Sequence, residues 1–271
     1  MTTLEHQMND RPSTPDGLFD VTAKHVVVTG GSRGIGLMIA RGFLRAGADV
    51  LISARKSDQL AAAAADLSTD GEVHTVVADV STAAGAQALA EAVRLWSDRL
   101  HVLVNNAGAT WGAPIEAFPE DGFDKVMDTN VKGPFYLTSA LLPELRAAGS
   151  PEDPARVINI GSVDGMRPPL LESYPYSASK AAIHQLTHHL AHRLASEHIT
   201  VNAIAPGPFE SKMMAFALSD PSTRSAVERT VPLGRIGRPD DMAGTAIFLS
   251  SRAGAYLTGA VIPVDGGITG A

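Results

Sequence analysis

The chain has 271 residues, 45% of them hydrophobic and 19% charged, a balance that supports one large folded domain and excludes a disordered polymer. A formal net charge of -7 opposes contact with phosphate-rich duplexes, so nucleic acid is excluded as an expected partner. With no cysteine there is no disulfide, no thiolate nucleophile and no Cys-bound metal cluster, and any chemistry must come from oxygen and nitrogen groups.

Residues 1–17, MTTLEHQMNDRPSTPDG, lack the apolar core of a signal peptide and carry Pro12 and Pro15, so a flexible tail is expected ahead of one domain at 18–271. No stretch approaches the roughly 18 apolar residues of a membrane span, and the expectation is a cytoplasmic protein with no membrane partner. From Lys24 onward one theme repeats, a short β-branched run followed by a helix-compatible segment. The runs are KHVVVTG, ADVLISA, EVHTVVADV, LHVLVNNAG, ARVINIGS, ITVNAIAPG and GAVIPVDGG. Continuous apolar strands such as VVV and VLV imply burial on both faces, hence an α/β fold with a doubly wound, Rossmann-like parallel sheet of about seven strands.

The first run leads straight into GSRGIG and then into the helical LMIARGFL. A phosphate needs backbone without a Cβ in its path and gains from the free N–H groups of a helix start, which Gly30, Gly34 and Gly36 provide in this strand–turn–helix setting. The second run ends VLISARK. NAD sites place an acid there to bond the ribose hydroxyls, but Ala54 takes that place, followed by Arg55, with Arg33 in the glycine turn. Two guanidinium groups suit a 2′-phosphate that a carboxylate would repel, so NADP(H) is expected in preference to NAD(H). Asp49 lies at the far end of that strand and cannot stand in for the missing acid.

Ser162 follows the fifth run, at the carboxyl end of its strand, where open α/β sheets bind ligands. In SYPYSASK, Tyr176 and Lys180 are spaced i, i+4 on one helix face, and a nearby ammonium is expected to lower the phenol pKa and make the pair a proton donor or acceptor. Tyr174 has no lysine four residues on. The 208–232 segment holds Phe209, Met213, Met214 and Leu218 after a Pro-Gly turn, and reads either as a substrate lid or as ordinary packing helices.

Taken together, these pieces resemble the short-chain dehydrogenase/reductase family. TGGSRGIG at 29–36, Asp79-Val80, NNAG at 105–108, Asn130 in DTNVKG, Ser162, YSASK at 176–180 and Pro206-Gly207 stand in the family's order. The resemblance spans about residues 18–271. It implies that Ser162 positions a carbonyl, Tyr176 is the general acid in reduction, and Lys180 binds the nicotinamide ribose and lowers the tyrosine pKa. Asn130 is implied as anchor of a water chain behind Lys180. The implied cofactor contacts are Gly30, Ser32, Arg33, Gly34, Ile35 and Gly36 in the turn, Arg55, Asp79 and Val80 about the adenosine, and Asn106, Ala107 and Gly108 along the cleft. Tyr176, Lys180, Pro206, Gly207, Phe209 and Ser211 are implied near the nicotinamide, Ser211 standing where the family usually has threonine.

The wording NNAGATWGAPIE, ARVINIGSV and VIPVDGG is similar to 3-oxoacyl (β-ketoacyl) reductases of the rhamnolipid-precursor type, which implies an apolar ketone, plausibly a 3-oxoacyl thioester. Two alternatives stay open: an NAD-dependent alcohol or sugar-acid dehydrogenase, and a dinucleotide-binding regulator without turnover, against which Asn130, Ser162, Tyr176 and Lys180 are all present. His184, His188 and His192 recur at i, i+4, i+8, a spacing that could ligate a metal, but no carboxylate supports them. No metal is expected, and a subunit contact in a homotetramer or homodimer is the preferred reading of that stripe.

Overall fold

Val26, Val27 and Val28 are all fully enclosed, which makes β1 (His25–Thr29) a strand covered on both faces. The computed structural model describes residues 15–169 and 171–270. The seven apolar runs become β1, β2 (Asp49–Ala54), β3 (Val73–Val77), β4 (Val102–Asn105), β5 (Ala155–Ile160), β6 (Ile199–Pro206) and β7 (Val261–Val264). They pair in parallel in the order β3-β2-β1-β4-β5-β6-β7. The order reverses between β1 and β4, and the crevice above the carboxyl ends at such a switch point is where doubly wound sheets take ligands.

The period-two alternation of a strand splits the core into two halves. Val26, Val28, Val50, Ile52, Val102 and Val104 face one side, against α2 (Gly34–Arg45), α3 (Ser57–Leu67) and, at Met242 and Leu249, a late helix over Pro239–Ser250. Val27, Leu51, Leu103 and Val157 face the other, against Leu89 and Val93 of α4 (Ala83–Trp96) and the helices at 133–148 and 174–194. The Ala61–Ala65 tract lies within α3, where Leu60, Ala63 and Leu67 are its buried positions. Thr82 caps α4 by accepting the Gly85 N–H at 3.0 Å.

The short α5 (Glu120–Met127), a π-helical turn over Asp128–Lys132 and α6 (Gly133–Ala140) follow one another without a break, and α7 (Leu142–Ala148) completes that layer. Pro134 lies four residues after Asn130 and has no N–H, so the Asn130 carbonyl loses its α-helical donor at the point where the ladder widens. The SYPYSASK segment opens α8 (Tyr174–Leu194).

The segment after β6 contains α9 (Ala215–Leu218) and α10 (Pro221–Arg229), the latter without one buried residue, before α11 (Pro239–Ser250). Most of the expected tail lies outside the described residues. At its end Pro15–Leu18 is helical, which places a described helix across the expected boundary at 18. No described helix is long and apolar enough to cross a membrane.

Candidate active site

Thr29, the last residue of β1, organises the glycine turn. Its hydroxyl accepts the backbone N–H groups of Asn106 and Ala107, each at 3.0 Å, and donates to the Val104 carbonyl. In return, Asn106 Nδ2 donates to the carbonyls of Thr29 at 2.8 Å and Gly30 at 3.2 Å. The turn and the NNAG loop are thereby held edge to edge across the switch point. Gly30 and Gly34 have φ of 65° and 54°, and a Cβ at Gly36 would sit 2.4 Å from both the Gly30 carbonyl oxygen and Asn106 Nδ2. These three glycines therefore leave bare backbone at the start of α2, a cradle that fits a pyrophosphate.

Ser32, Arg33, Gln59 and Lys212 line a surface cavity of about 410 Å³ beside that turn. Ile35, in the first turn of α2, is partly buried against the core. Arg33 Nη1 donates to Gln59 Oε1 at 3.3 Å, and Arg55 lies 3.8 Å from the Asp79 carboxylate, both arginines being exposed enough to turn toward a ligand. Asp79 also accepts from the Ser81 N–H and hydroxyl, while Val80 is buried beneath the site. Asp49 stands in register with His25 at the opposite end of the sheet.

The helix α8 runs its first turns along the end of β5. Lys180, 5% exposed, donates from Nζ to the Ile160 carbonyl at 2.7 Å, and its ammonium is 5.5 Å from the centre of the Tyr176 ring. The next residue but one, Ser162, accepts the Asp164 N–H and stands near enough to the Tyr176 phenol to act on its pKa. Asn130 uses both amide ends on the protein: Nδ2 donates to the Ala109 carbonyl and Ser179 Oγ, and Oδ1 accepts the Ala109 N–H. Gly108 fills the gap between Asn130 and Lys180, a Cβ there lying 3.5 Å from Asn130 Oδ1 and 4.0 Å from Lys180 Nζ.

Burial pushes the Tyr176 phenol up to about 12, with Ser162 acting against it and the Asp164 carboxylate adding to it. Burial brings Lys180 down to about 8. The expected lowering of the phenol by the ammonium is therefore corrected: desolvation sets the direction, and the Lys180 Nζ is directed at the Ile160 carbonyl. At neutral pH this tyrosine is a proton holder.

Pro206 ends β6, and the N–H of Gly207 bonds to the Val264 carbonyl. Ser211 caps the turn at 212–214 through the Met214 N–H and reaches across to the glycine turn, where a Cβ on Gly34 would lie 3.2 Å from its own. The Phe209 side chain is 2% exposed and lies flat on Gly237, so what Phe209 offers a ligand is backbone, not its ring. Of the histidine stripe only His184 is buried; His188 and His192 face outward, so the three do not converge.

Sequence reasoning passed over Thr29, Ser179 and the chain of buried bonds from Thr138 through Asn105 and Asn159 to Thr187, which ties α6, β4, β5 and α8 together behind the site. Only a hydroxyl at the strand end of TGG and an amide at the first position of NNAG hint at it. Such fully paired polar networks fix the relative position of the elements that carry them.

A family model described as enoyl-(acyl carrier protein) reductase matches residues 30–269. The chain is 50% identical over 249 residues, 92% of its length and 97% of the relative's, to the rhamnolipids biosynthesis 3-oxoacyl-[acyl-carrier-protein] reductase of Pseudomonas aeruginosa. It is 34% identical to the gluconate 5-dehydrogenase of Gluconobacter oxydans over 95% of this chain and 98% of that one. Among solved structures it is similar to the Pseudomonas aeruginosa RhlG/NADP active-site complex, with a TM-score of 0.91, 49% identity, and 93% and 99% of the two chains covered.

Proposed function

The chain belongs to the short-chain dehydrogenase/reductase family and is an oxidoreductase, and from that premise we propose that it reduces a ketone with NADPH, the substrate being a 3-oxoacyl thioester. The observation that carries this reading is the convergence of Ser162, Tyr176 and Lys180 on one strand end, with the phenol held in its protonated form. The bound cofactor would supply the hydride. The bare-backbone turn Gly30–Gly36 would cradle its pyrophosphate, and Arg33 and Arg55 would hold the 2′-phosphate, in line with the NADP in the similar Pseudomonas structure. Asp79, Val80, Asn106 to Gly108, Pro206, Gly207, the Phe209 backbone and Ser211 complete the cradle in this reading.

Ser162 Oγ would hold the substrate oxygen beside the phenol, so that Tyr176 protonates the forming alkoxide as general acid. Lys180 would bond the nicotinamide ribose and, as an ammonium below about pH 8, limit the cost of the transient phenolate. The Asn130 side chain fixes the loop at Ala109 after NNAG, and its main-chain carbonyl, which Pro134 cannot bond, would hold water for reprotonation. Apolar surface for an acyl chain is available at Met213 and in a cavity of about 420 Å³ lined by Ile115, Phe118, Phe123 and Tyr174. Leu95 of α4 and Phe135 and Tyr136 of α6 are exposed apolar groups that suit contacts between copies in a homotetramer or homodimer.

A sugar-acid dehydrogenase is the second reading, favoured by the gluconate 5-dehydrogenase relative. The apolar lining of Ile115, Phe118 and Phe123 suits an acyl chain better than a polyhydroxy acid and supports the first. The test is consumption of reduced nicotinamide with 3-oxoacyl N-acetylcysteamine thioesters against 5-ketogluconate. Turnover of the thioesters supports the proposal; turnover of the sugar acid alone replaces it with the second reading.

A further inference from the structure

The face of α8 that carries Tyr176 and Lys180 continues one turn further to His184, and all three meet consecutive residues of one strand end. Lys180 bonds the Ile160 carbonyl, Ser162 stands close to the Tyr176 phenol, and between them the imidazole of His184 lies on Gly161. The approach is close: a Cβ on Gly161 would stand 2.1 Å from His184 Nε2 and 2.7 Å from Cδ2, so one Cα–H of Gly161 is directed at the ring nitrogen. His184 is 7% exposed, and its Nε2 is buried with no hydrogen-bond partner among the described residues. An unprotonated Nε2 accepts a weak Cα–H contact, whereas an N–H pointed at that carbon would have no acceptor.

Gly161 in turn donates its N–H to the Ile204 carbonyl at 2.7 Å, so the peptide beneath the imidazole is held from the β6 side as well. We propose that His184 is a positioning residue for the reaction: seated on Gly161, it sets the spacing of Ile160 and Ser162 against Lys180 and Tyr176. The mechanism does not otherwise use it, and it lines neither the cavity beside Ser32 and Arg33 nor the one formed by Ile115, Phe118, Phe123 and Tyr174. The basic groups that face it are Lys180 and His188, both on α8, and the strand side presents Gly161. Burial keeps its pKa down at about 4, so it stays neutral over the working range and adds no second charge beside Lys180.

The inference rests on the Tyr176–Lys180 chemistry proposed above but not on the identity of the substrate. The experiment compares wild type, His184→Ala, His184→Gln, Gly161→Ala and the His184→Ala/Gly161→Ala pair, in whichever direction the wild type turns over. Read out are kcat and KM against pH, NADPH affinity by fluorescence, and the thermal midpoint. His184→Ala is expected to lower kcat about tenfold or more, as misplacement of reacting groups by a fraction of an ångström does, with NADPH affinity held. Its alkaline limb, set by Lys180 and Tyr176, is expected to move, and His184→Gln, with an acceptor at similar reach, to restore it. Gly161→Ala alone is expected to lose activity and to recover part of it when His184 is also alanine.

A His184→Ala protein with wild-type kcat and limb overturns the proposal. So does a lowered thermal midpoint with the pH profile unmoved, since that marks core packing alone. If His184→Ala does not fold, His184→Gln against Gly161→Ala carries the same comparison, and independent effects overturn it. A wild type that turns over neither ketone nor alcohol removes the proposed function, and this role with it. An active wild type indifferent to His184 removes only the role.

Discussion

Asn106 Nδ2 donates to the Thr29 carbonyl at 2.8 Å, and Thr29 Oγ1 accepts the Asn106 N–H at 3.0 Å, so Asn106 donates twice to Thr29 and closes the glycine turn with its side chain and its backbone. Asn106→Ala removes the Nδ2 bonds to Thr29 and Gly30 and leaves their carbonyls facing the void. The expected cost is about 1–3 kcal/mol of stability together with weaker NADPH binding. Urea unfolding and fluorescence titration check this; an Asn106→Ala protein equal to wild type in both would show that the turn holds itself.

Arg55 lies 3.8 Å from Asp79 at the end of β2, where an NAD-selecting acid would stand. Arg55→Asp should cost roughly tenfold to hundredfold in NADPH affinity, the range of a lost charge-assisted contact, and raise NADH affinity. Titration of both nucleotides on both proteins measures it. Equal binding of NADH and NADPH by the wild type would make Arg55 an ordinary surface charge and favour the alcohol dehydrogenase reading.

Burial places the Tyr176 phenol at about 12 and Lys180 at about 8, and each has a sign. Reduction needs a protonated phenol, present throughout the neutral range, so the reductive rate should be flat there. It should fall above about pH 8, where Lys180 loses its charge. Oxidation needs the phenolate and should climb with pH instead. Tyr176→Phe should lower turnover by roughly 10²–10⁴-fold with nucleotide binding intact. Stopped-flow rates from neutral to alkaline pH test both statements; a reductive rate that rises with pH would contradict the assignment of Tyr176 as acid.

His101 and His184 are both held at about 4 by burial, against an ordinary value near 6.5. His101 Nδ1 accepts the His25 N–H at 3.0 Å, a bond that a protonated nitrogen cannot accept. Between pH 6.5 and 4 the unfolded chain binds protons that the folded chain refuses. Stability is therefore fully present above about 6.5 and is lost as pH falls toward 4. Urea midpoints over this window should drop, and His101→Gln, whose amide oxygen can still accept, should drop less. An unchanged pH slope in that variant would place the loss elsewhere.

β1 and β4 could be read from the chain because a parallel strand covered on both faces is an unbroken apolar run, as in Val26–Val28 and Val102–Val104, whereas the edge strands β3 and β7, only partly covered, show as β-branched residues. Tyr176 and Lys180 were equally legible, since helical spacing alone puts them on one face. What depends on tertiary contact was not. The i, i+4, i+8 histidines look equivalent in sequence, yet only His184 meets a glycine, because β5 ends beneath that one turn. The phenol shift came out opposite in direction, since spacing reports a nearby cation but says nothing of how much water burial removes. Asn130 reads as a free amide until Ala109 and Ser179 occupy it.

The 208–232 segment is anchored at its two ends and loose between them. Phe209 and Leu218 are buried before α10 and Val231 after it, while α10 buries nothing and is tied outward by Arg224 to Glu210 at 2.6 Å, its Arg224–Glu228 pair being internal. Exposed ion pairs of this kind contribute at most about 1 kcal/mol, so α10 should open far more readily than the sheet. Because Ser211 touches Gly34 across the cofactor turn, a ligand there should hold the segment closed. Limited trypsin digestion is expected to cut first at Arg224 or Arg229, and saturating NADPH to slow that cut severalfold. If cleavage there is slow without NADPH, or unaffected by it, the segment is a pair of packed helices and not a lid.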